Sequence, residues 1–172
     1  QVAITAESFS YMPGYGFAIA ASTLTGQHLG AGDRDGAVQS GFLTARYSLI
    51  VMGITGAVFF LFPRVIARGF TSDPNVVQLA TICIRIAALE QMPIALEQVI
   101  AGSLRGAGDT RYPFLVSLLG NWVLRLPLVA LAVVVLELPI WSVWIITVFD
   151  FCLRSALLLL RYRGRQWAAI KV

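Results

Sequence analysis

The sequence predicts an all-α membrane protein, a bundle of about five transmembrane helices, and three observations support this. Apolar residues make up 58% of the 172 residues and charged residues only 13%, whereas soluble domains have about 45–50% and about 25%. The apolar residues form runs of roughly 20 or more, the length that a helix needs to cross a bilayer. Alternating segments of about ten residues, which a membrane β-barrel would need, are not seen.

Each predicted span is an apolar run that stops at a turn. The first has no charged residue from position 8 to 32 and stops at the string GAGDRDG, and the second stops at Pro63, Arg64, Arg68 and the turn SDPN. Gly, Pro and Asp-Pro are expected stops. The remaining three spans are equally long but contain ionised side chains. We therefore predict one lobe, residues 1–172, with spans at residues 2–29, 42–62, 76–101, 113–136 and 140–160.

Basic residues near the helix ends predict the orientation of the bundle. The ends after spans one, three and five carry eight basic residues, and the opposite ends carry two, Arg64 and Arg68. Since basic residues favour the cytoplasmic side, we expect a multi-pass protein of the inner or plasma membrane, with the tail at residues 161–172 in the cytoplasm. The eight residues are Arg34, Arg46, Arg105, Arg111, Arg161, Arg163, Arg165 and Lys171. They are scattered between helix ends, so a nucleic-acid partner is not expected.

Two similar strings predict tight cytoplasmic turns. GQHLGAGD ends at residue 33 and GSLRGAGDTRYP ends at residue 113. Glycine accepts the left-handed conformation that ends a helix, and Asp can cap the helix that follows. A phosphate-binding loop would need GxxxxGK[ST] after a strand, which is absent here. The turn residues are Gly30, Gly32, Asp33, Arg105, Gly106, Gly108 and Asp109.

Three ionisable residues are predicted to share one layer near the middle of the membrane. Glu90, Arg125 and Asp150 each lie 11 or 12 residues from a cytoplasmic helix end. At 1.5 Å per residue this is roughly 16–18 Å, about half of a hydrocarbon core of about 30 Å. Charged groups at this depth are costly and usually mark an ion or substrate pathway. Two interpretations stay open. The layer is either a site for a proton, Na⁺ or a cationic substrate, or a structural ion-pair network.

Further polar residues extend this layer along the helices. Glu97 follows Glu90 by seven residues, and Gln91 and Gln98 have the same spacing, so the third span has one polar stripe that should face the bundle. Asp150 and Arg154 have the spacing of an ion pair within one helix. Glu7 lies about 22 residues from Leu29, which predicts a place near the outer mouth, either at the rim of a cavity or simply at the interface.

Three prolines inside the spans, Pro13, Pro93 and Pro127, predict helix bends. Each removes a backbone hydrogen bond. Such bends are common at the moving cavities of transporters, although they also occur in membrane proteins that do not move.

The motifs together resemble the multidrug and toxic compound extrusion (MATE) family. The resemblance rests on ESFSYMPGYGF, GQHLGAGD, LEQ, GSLRGAGDTRYP, RLPL, VFDFCLRS and RYRGRQW, which occur in the family's order along nearly the whole chain. It implies the second lobe of a twelve-helix transporter without the first helix of that lobe. LELPIWSVW, before the last span, departs from the Gly-rich turn of many relatives.

The resemblance implies efflux of amphipathic, mostly cationic drugs or toxic metabolites in exchange for H⁺ or Na⁺. No cofactor is then expected besides H⁺ or Na⁺ as the coupling ion, and no metal site is expected. The partners would be the small-molecule substrates, membrane lipid and the missing first lobe. A lipid-linked oligosaccharide flippase of the same superfamily and a truncated, non-transporting remnant stay as alternatives. An enzyme is not expected, because the chain has one His and neither HExxH nor GxSxG.

Overall fold

The structure, a computed structural model, describes residues 2–169. Gln1 and residues 170–172, which include Lys171 of the predicted tail, lie outside the described residues. Within residues 2–169 six helices carry the fold, and a short 3₁₀ helix, Gln166–Ala169, follows them. The six are α1 (Val2–Gly30), α2 (Arg34–Leu61), α3 (Pro63–Phe70), α4 (Pro74–Gly106), α5 (Arg111–Val135) and α6 (Trp141–Arg163). The described residues contain no strand, so the all-α prediction is confirmed.

Four helices, α2, α4, α5 and α6, are long and apolar enough to cross a membrane. α1 has 29 residues but is not one of these four, so its crossing stays a prediction. The sequence predicts the second span to end at residue 62 and only a stop after it, whereas residues 63–70 form the separate helix α3. Pro63 is the first residue of α3, a position where a missing N–H costs nothing and the fixed φ favours a helix.

The central helix of the bundle is α4, which packs against α1, α2, α3 and α6. Small residues allow the close approach of α1 and α4. A Cβ on Gly102 would collide with the carbonyl oxygen of Ala18, and a Cβ on Gly106 with that of Ser22. Two apolar clusters fill the ends of the bundle, one around Leu104 and one around Ile84.

The fifth helix is irregular and lies at the edge of the bundle, mainly against α6. It is π-helical at Gly120–Arg125 and again at Leu131–Val135. The first π segment ends two residues before Pro127, which lacks a backbone N–H and whose ring clashes with the carbonyl one turn earlier. Such segments widen a helix locally and are frequent at functional sites. Pro13 and Pro93, by contrast, lie inside continuous α-helix.

Candidate ion-coupling site

Two carboxyl groups face each other between α1 and α4. Glu90 has no exposed surface. Gly102 of α4 lies beside Ala18 of α1, and this register brings Glu7 level with Glu90 as its neighbouring acid. The hydroxyl of Tyr11 donates to Oε1 of Glu7 at 2.7 Å. The oxygens of Glu90 have no hydrogen-bond donor among the described residues. Two such carboxyls can hold a proton between them or offer oxygens to a small cation.

Glu7 therefore lies level with Glu90, and its predicted place near the outer mouth was wrong. The prediction counted residues from Leu29 as if α1 and α4 ended together. In the structure α4 ends at Gly106, whose carbonyl oxygen lies beside Gly26 of α1. Helix α1 continues beyond this point to Gly30. The count therefore placed Glu7 too far from the midplane.

A second cluster joins α5 to α6 around Asp150, which has no exposed surface. Nη2 of Arg125 lies 2.6 Å from its Oδ2. Arg154 donates from Nε to Oδ1 at 2.8 Å and makes a second contact from Nη2 to Oδ2. The same Nη2 donates to Oδ1 of Asn121 at 2.8 Å. One carboxylate thus holds two guanidinium groups, and the predicted pair of Asp150 and Arg154 is present.

Two further residues shape this cluster, and the sequence analysis did not single them out. The ring of Phe151 lies under both cations, 4.8 Å from Cζ of Arg125 and 5.3 Å from Cζ of Arg154, in the range of cation–π attraction. Gly120 leaves the space that the ion pair occupies, since a Cβ there would lie 2.5 Å from Nε of Arg154. A glycine one residue before a polar Asn within an apolar span was the available signal.

The polar stripe on α4 faces the bundle, as its spacing predicts, but its two acids have different neighbours. Glu97 is half-buried, and its strongest charged neighbour is Arg154. Gln91 is fully buried and donates to the carbonyl oxygen of Ala87 at 3.2 Å. Glu90 lies beside Glu7, and its oxygens form no hydrogen bond with Arg125. The predicted layer of Glu90, Arg125 and Asp150 is therefore two adjoining clusters rather than one ion-paired triad.

The two Gly-rich turns have the geometry that the sequence predicts. Gly32 and Gly108 have φ of +77° and +84°, the left-handed region. Asp33 caps α2 by accepting from the N–H of Gly36 at 2.8 Å, and Nδ1 of His28 lies 3.0 Å from its other oxygen. The hydrogen bond from Gly36 is the main reason why the pKa of Asp33 lies below its usual value, and His28 adds to the effect.

Gly30 and Gly106 are the last residues of α1 and α4, and Arg105 is exposed beside Gly106. The buried Asp109 pairs with Nε of Arg161 at 3.0 Å. This second turn is thereby fixed to the end of α6.

The segment after α6 is part of the core, which the sequence analysis missed when it treated residues 161–172 as a tail. Trp167 has no exposed surface, stacks on Tyr162 with 4.7 Å between ring centroids, and donates from Nε1 to the carbonyl oxygen of Tyr162 at 2.8 Å. Tyr162 in turn donates to the carbonyl oxygen of Ala37 at 3.2 Å. Arg165 pairs with Asp35 at 3.0 Å. This segment therefore joins α6 to the start of α2.

Comparison with known proteins gives a consistent family signal. The MatE family model matches residues 1–131. The chain is 32% identical over 170 residues to a probable multidrug resistance protein NorM of Thermotoga maritima, covering 97% of this chain and 36% of that protein. It is 29% identical over 127 residues to the multidrug resistance protein MdtK of Yersinia pseudotuberculosis, covering 74% of this chain and 28% of that protein. The chain thus spans about a third of the length of the curated relatives it matches.

Solved structures share the fold. The crystal structure of the eukaryotic MATE transporter AtDTX14 superimposes with a TM-score of 0.89 at 24% identity, covering 97% of this chain and 37% of that chain. A transporter from Pyrococcus furiosus, described as having a binding pocket of reverse polarity, gives a TM-score of 0.82 at 21% identity, covering 96% and 37%. At these identities the likeness shows the fold alone.

Proposed function

Since this chain belongs to the MatE family, whose members are multi-pass membrane transporters and not enzymes, we propose that it is the second lobe of a secondary active multidrug exporter. It would expel amphipathic, mostly cationic small molecules in exchange for H⁺ or Na⁺. Its further partners would be a first lobe and the surrounding lipid. The turns at residues 30–33 and 107–110 and the segment after α6 would face the cytoplasm, as the eight-to-two charge asymmetry favours.

The observation that carries this proposal is the pair of Glu7 and Glu90. Two neighbouring carboxyls, of which Glu90 is fully buried and Glu7 half-buried, cannot both ionise without a cost in free energy, so the pair favours uptake of one cation. A proton or Na⁺ satisfies this need, and a cationic substrate bound nearby competes with it through the same charge. Such competition is what an exchange of cation for substrate requires.

The charge of the surrounding groups supports a cation exporter over a flippase for anionic lipid-linked sugars. The site groups four carboxyls with two guanidinium groups. A flippase would favour a cavity richer in cations. The site residues are Glu7, Glu90, Glu97, Asp150, Arg125 and Arg154.

Three substitutions separate ion coupling from a purely structural network. In the protein expressed from its native gene, Glu90→Gln should keep its membrane abundance but weaken the ion dependence of efflux. Arg125→Ala should fold and change the pH profile of efflux, because it removes a cation that pairs with Asp150 and also acts on Glu90. Asp150→Asn is the structural comparison and should lower abundance, since it leaves the buried guanidinium of Arg154 and the partly buried one of Arg125 without their carboxylate.

Membrane abundance and pH-dependent efflux of ethidium, an amphipathic cation, should be measured for all three variants. A structural network alone predicts that abundance falls in all three together. Wild-type rate and pH profile in Glu90→Gln would show that the coupling role of Glu90 is wrong.

A further inference from the structure

At the end of the bundle opposite the Gly-rich turns, the short helix α3 carries two arginines that have no charged or hydrogen-bonding partner among the described residues. Arg64 and Arg68 are four residues apart, so they share one face of the helix. Both are exposed, and neither forms a hydrogen bond or ion pair with another described residue. In residues 62–80 the only acidic side chain is Asp73. Its carboxylate accepts from the N–H of Asn75 at 2.9 Å and caps α4.

Both arginines line one cavity of about 580 Å³ between α3 and the start of α4, which Pro74 and Val77 also line. Thr71, Ser72 and Gln78 also line it and offer hydrogen-bond donors. A volume of this size is typical of small-molecule sites. Two guanidinium groups with hydroxyl and amide donors around them are suited to phosphate oxygens, which arginine binds in a bidentate way.

The rest of α3 places this cavity at a lipid surface. Ala67 is buried and Ile66 half-buried in the apolar cluster around Ile84 of α4, so the helix is fixed to the bundle. Large apolar side chains next to it stay exposed, with Leu61 at 66% and Val65 at 68%. A short helix with an apolar face and a basic face is typical of the boundary between headgroups and acyl chains.

We propose that this cavity binds the phosphate headgroup of an anionic phospholipid, with the acyl chains along the exposed apolar end of α2. Basic pockets at helix ends recognise such headgroups by charge. The phosphate would neutralise Arg64 and Arg68 together, and Thr71, Ser72 and Gln78 would donate to its remaining oxygens. The proposal requires only that the protein is embedded in a membrane, and it is independent of the proposed transport.

The test uses the protein expressed from its native gene and purified in detergent. Binding of phosphatidylglycerol and of phosphatidylcholine with the same acyl chains is measured by native mass spectrometry. Phosphatidylglycerol should bind more tightly. In Arg64→Gln/Arg68→Gln its affinity should fall roughly 30-fold, since each basic side chain near an anionic surface contributes about fivefold. Arg64→Lys/Arg68→Lys keeps the charge but loses the bidentate hydrogen bonds, so its affinity should lie between those of the wild type and Arg64→Gln/Arg68→Gln.

The matched control is Arg46→Gln/Arg111→Gln, which removes two exposed arginines from the opposite end of the bundle and should leave phosphatidylglycerol binding unchanged. The effect of inorganic phosphate and of phosphatidylglycerol on the Tm shows whether the cavity binds a lipid headgroup or a free anion. Inorganic phosphate should not raise the Tm. Four results would overturn the proposal: equal binding of the two lipids, full affinity in the Arg64→Gln/Arg68→Gln variant, an equal loss in the control, or stabilisation by inorganic phosphate to the extent seen with phosphatidylglycerol.

Discussion

The contact between Gly102 and Ala18 offers a sharp test of how α1 and α4 pack. A Cβ added at Gly102 would overlap the carbonyl oxygen of Ala18 and lie 3.0 Å from its Cα. These are backbone atoms inside a helix, so relief requires the two helices to separate. Overpacking of this kind costs about 1–3 kcal/mol, and alanine regains about 1 kcal/mol of helix propensity over glycine. Gly102→Ala should therefore lose up to about 2 kcal/mol in net stability.

The matched control is Gly16→Ala in α1, where an added Cβ meets nothing within 4 Å. It gains the same helix propensity without a clash and should stabilise the protein by up to about 1 kcal/mol. For a chain of this size 1 kcal/mol shifts the Tm by about 2–4 °C. Thermal unfolding in detergent, followed by circular dichroism, should show a Tm lowered by about 4–8 °C for the worst case of Gly102→Ala and raised for Gly16→Ala. Equal shifts in both variants, or a raised Tm for Gly102→Ala, would refute the packing argument.

Three further predictions concern the turns and the segment after α6. Gly108→Val should reduce membrane abundance without changing substrate preference, because φ is +84° there and a β-branched residue is strained at such a φ. Altered substrate preference at normal abundance would mean that the turn binds substrate. Trp167→Ala should lower the free energy of unfolding by about 3 kcal/mol, since a fully buried aromatic ring is lost. Trp167→Phe keeps the stacking and should lower it by about 1 kcal/mol for the lost hydrogen bond. Equal Tm values for the two variants would contradict this. The hydrogen bond from Gly36 lowers the pKa of Asp33 in the folded protein below its usual 3.8. Ionised Asp33 therefore stabilises the fold fully above pH 3.8, and this stabilisation is lost as the pH falls through the lower pKa of the folded protein. Acid unfolding curves of wild type and Asp33→Ala should therefore converge at low pH, and a gap that widens there would be contrary to the prediction.

Composition and local spacing were enough to predict the helical bundle, the glycine turns and the polar face of α4. These features depend on residues close in sequence, as Asp150 and Arg154 illustrate. The position of Glu7 could not be predicted, because it depends on the register between two helices that Gly102 and Gly106 set through backbone contact. A sequence shows how far apart two residues lie along one helix, but it does not show how far one helix is shifted relative to its neighbour.

The other misses have related physical causes. Trp167 lies in a stretch of mixed polarity after a basic helix end, and its burial comes from a pocket formed by α2 and Tyr162, far away in sequence. α3 is only eight residues long, too short for a periodic pattern to stand out. The space beside Asp150 is provided by Gly120, whose role appears only when α5 and α6 are packed together.

The most direct test of the ion-exchange account is to ask whether substrate binding releases the coupling ion from the pair of Glu7 and Glu90. The purified protein, expressed from its native gene, is titrated with ethidium in weakly buffered solution, with a pH indicator for protons and radioactive sodium for Na⁺. The account predicts release of one of the two ions on binding by the wild type and a loss of that release in Glu90→Gln, which should still bind ethidium. Binding by the wild type without release of either ion, or undiminished release in Glu90→Gln, would contradict it.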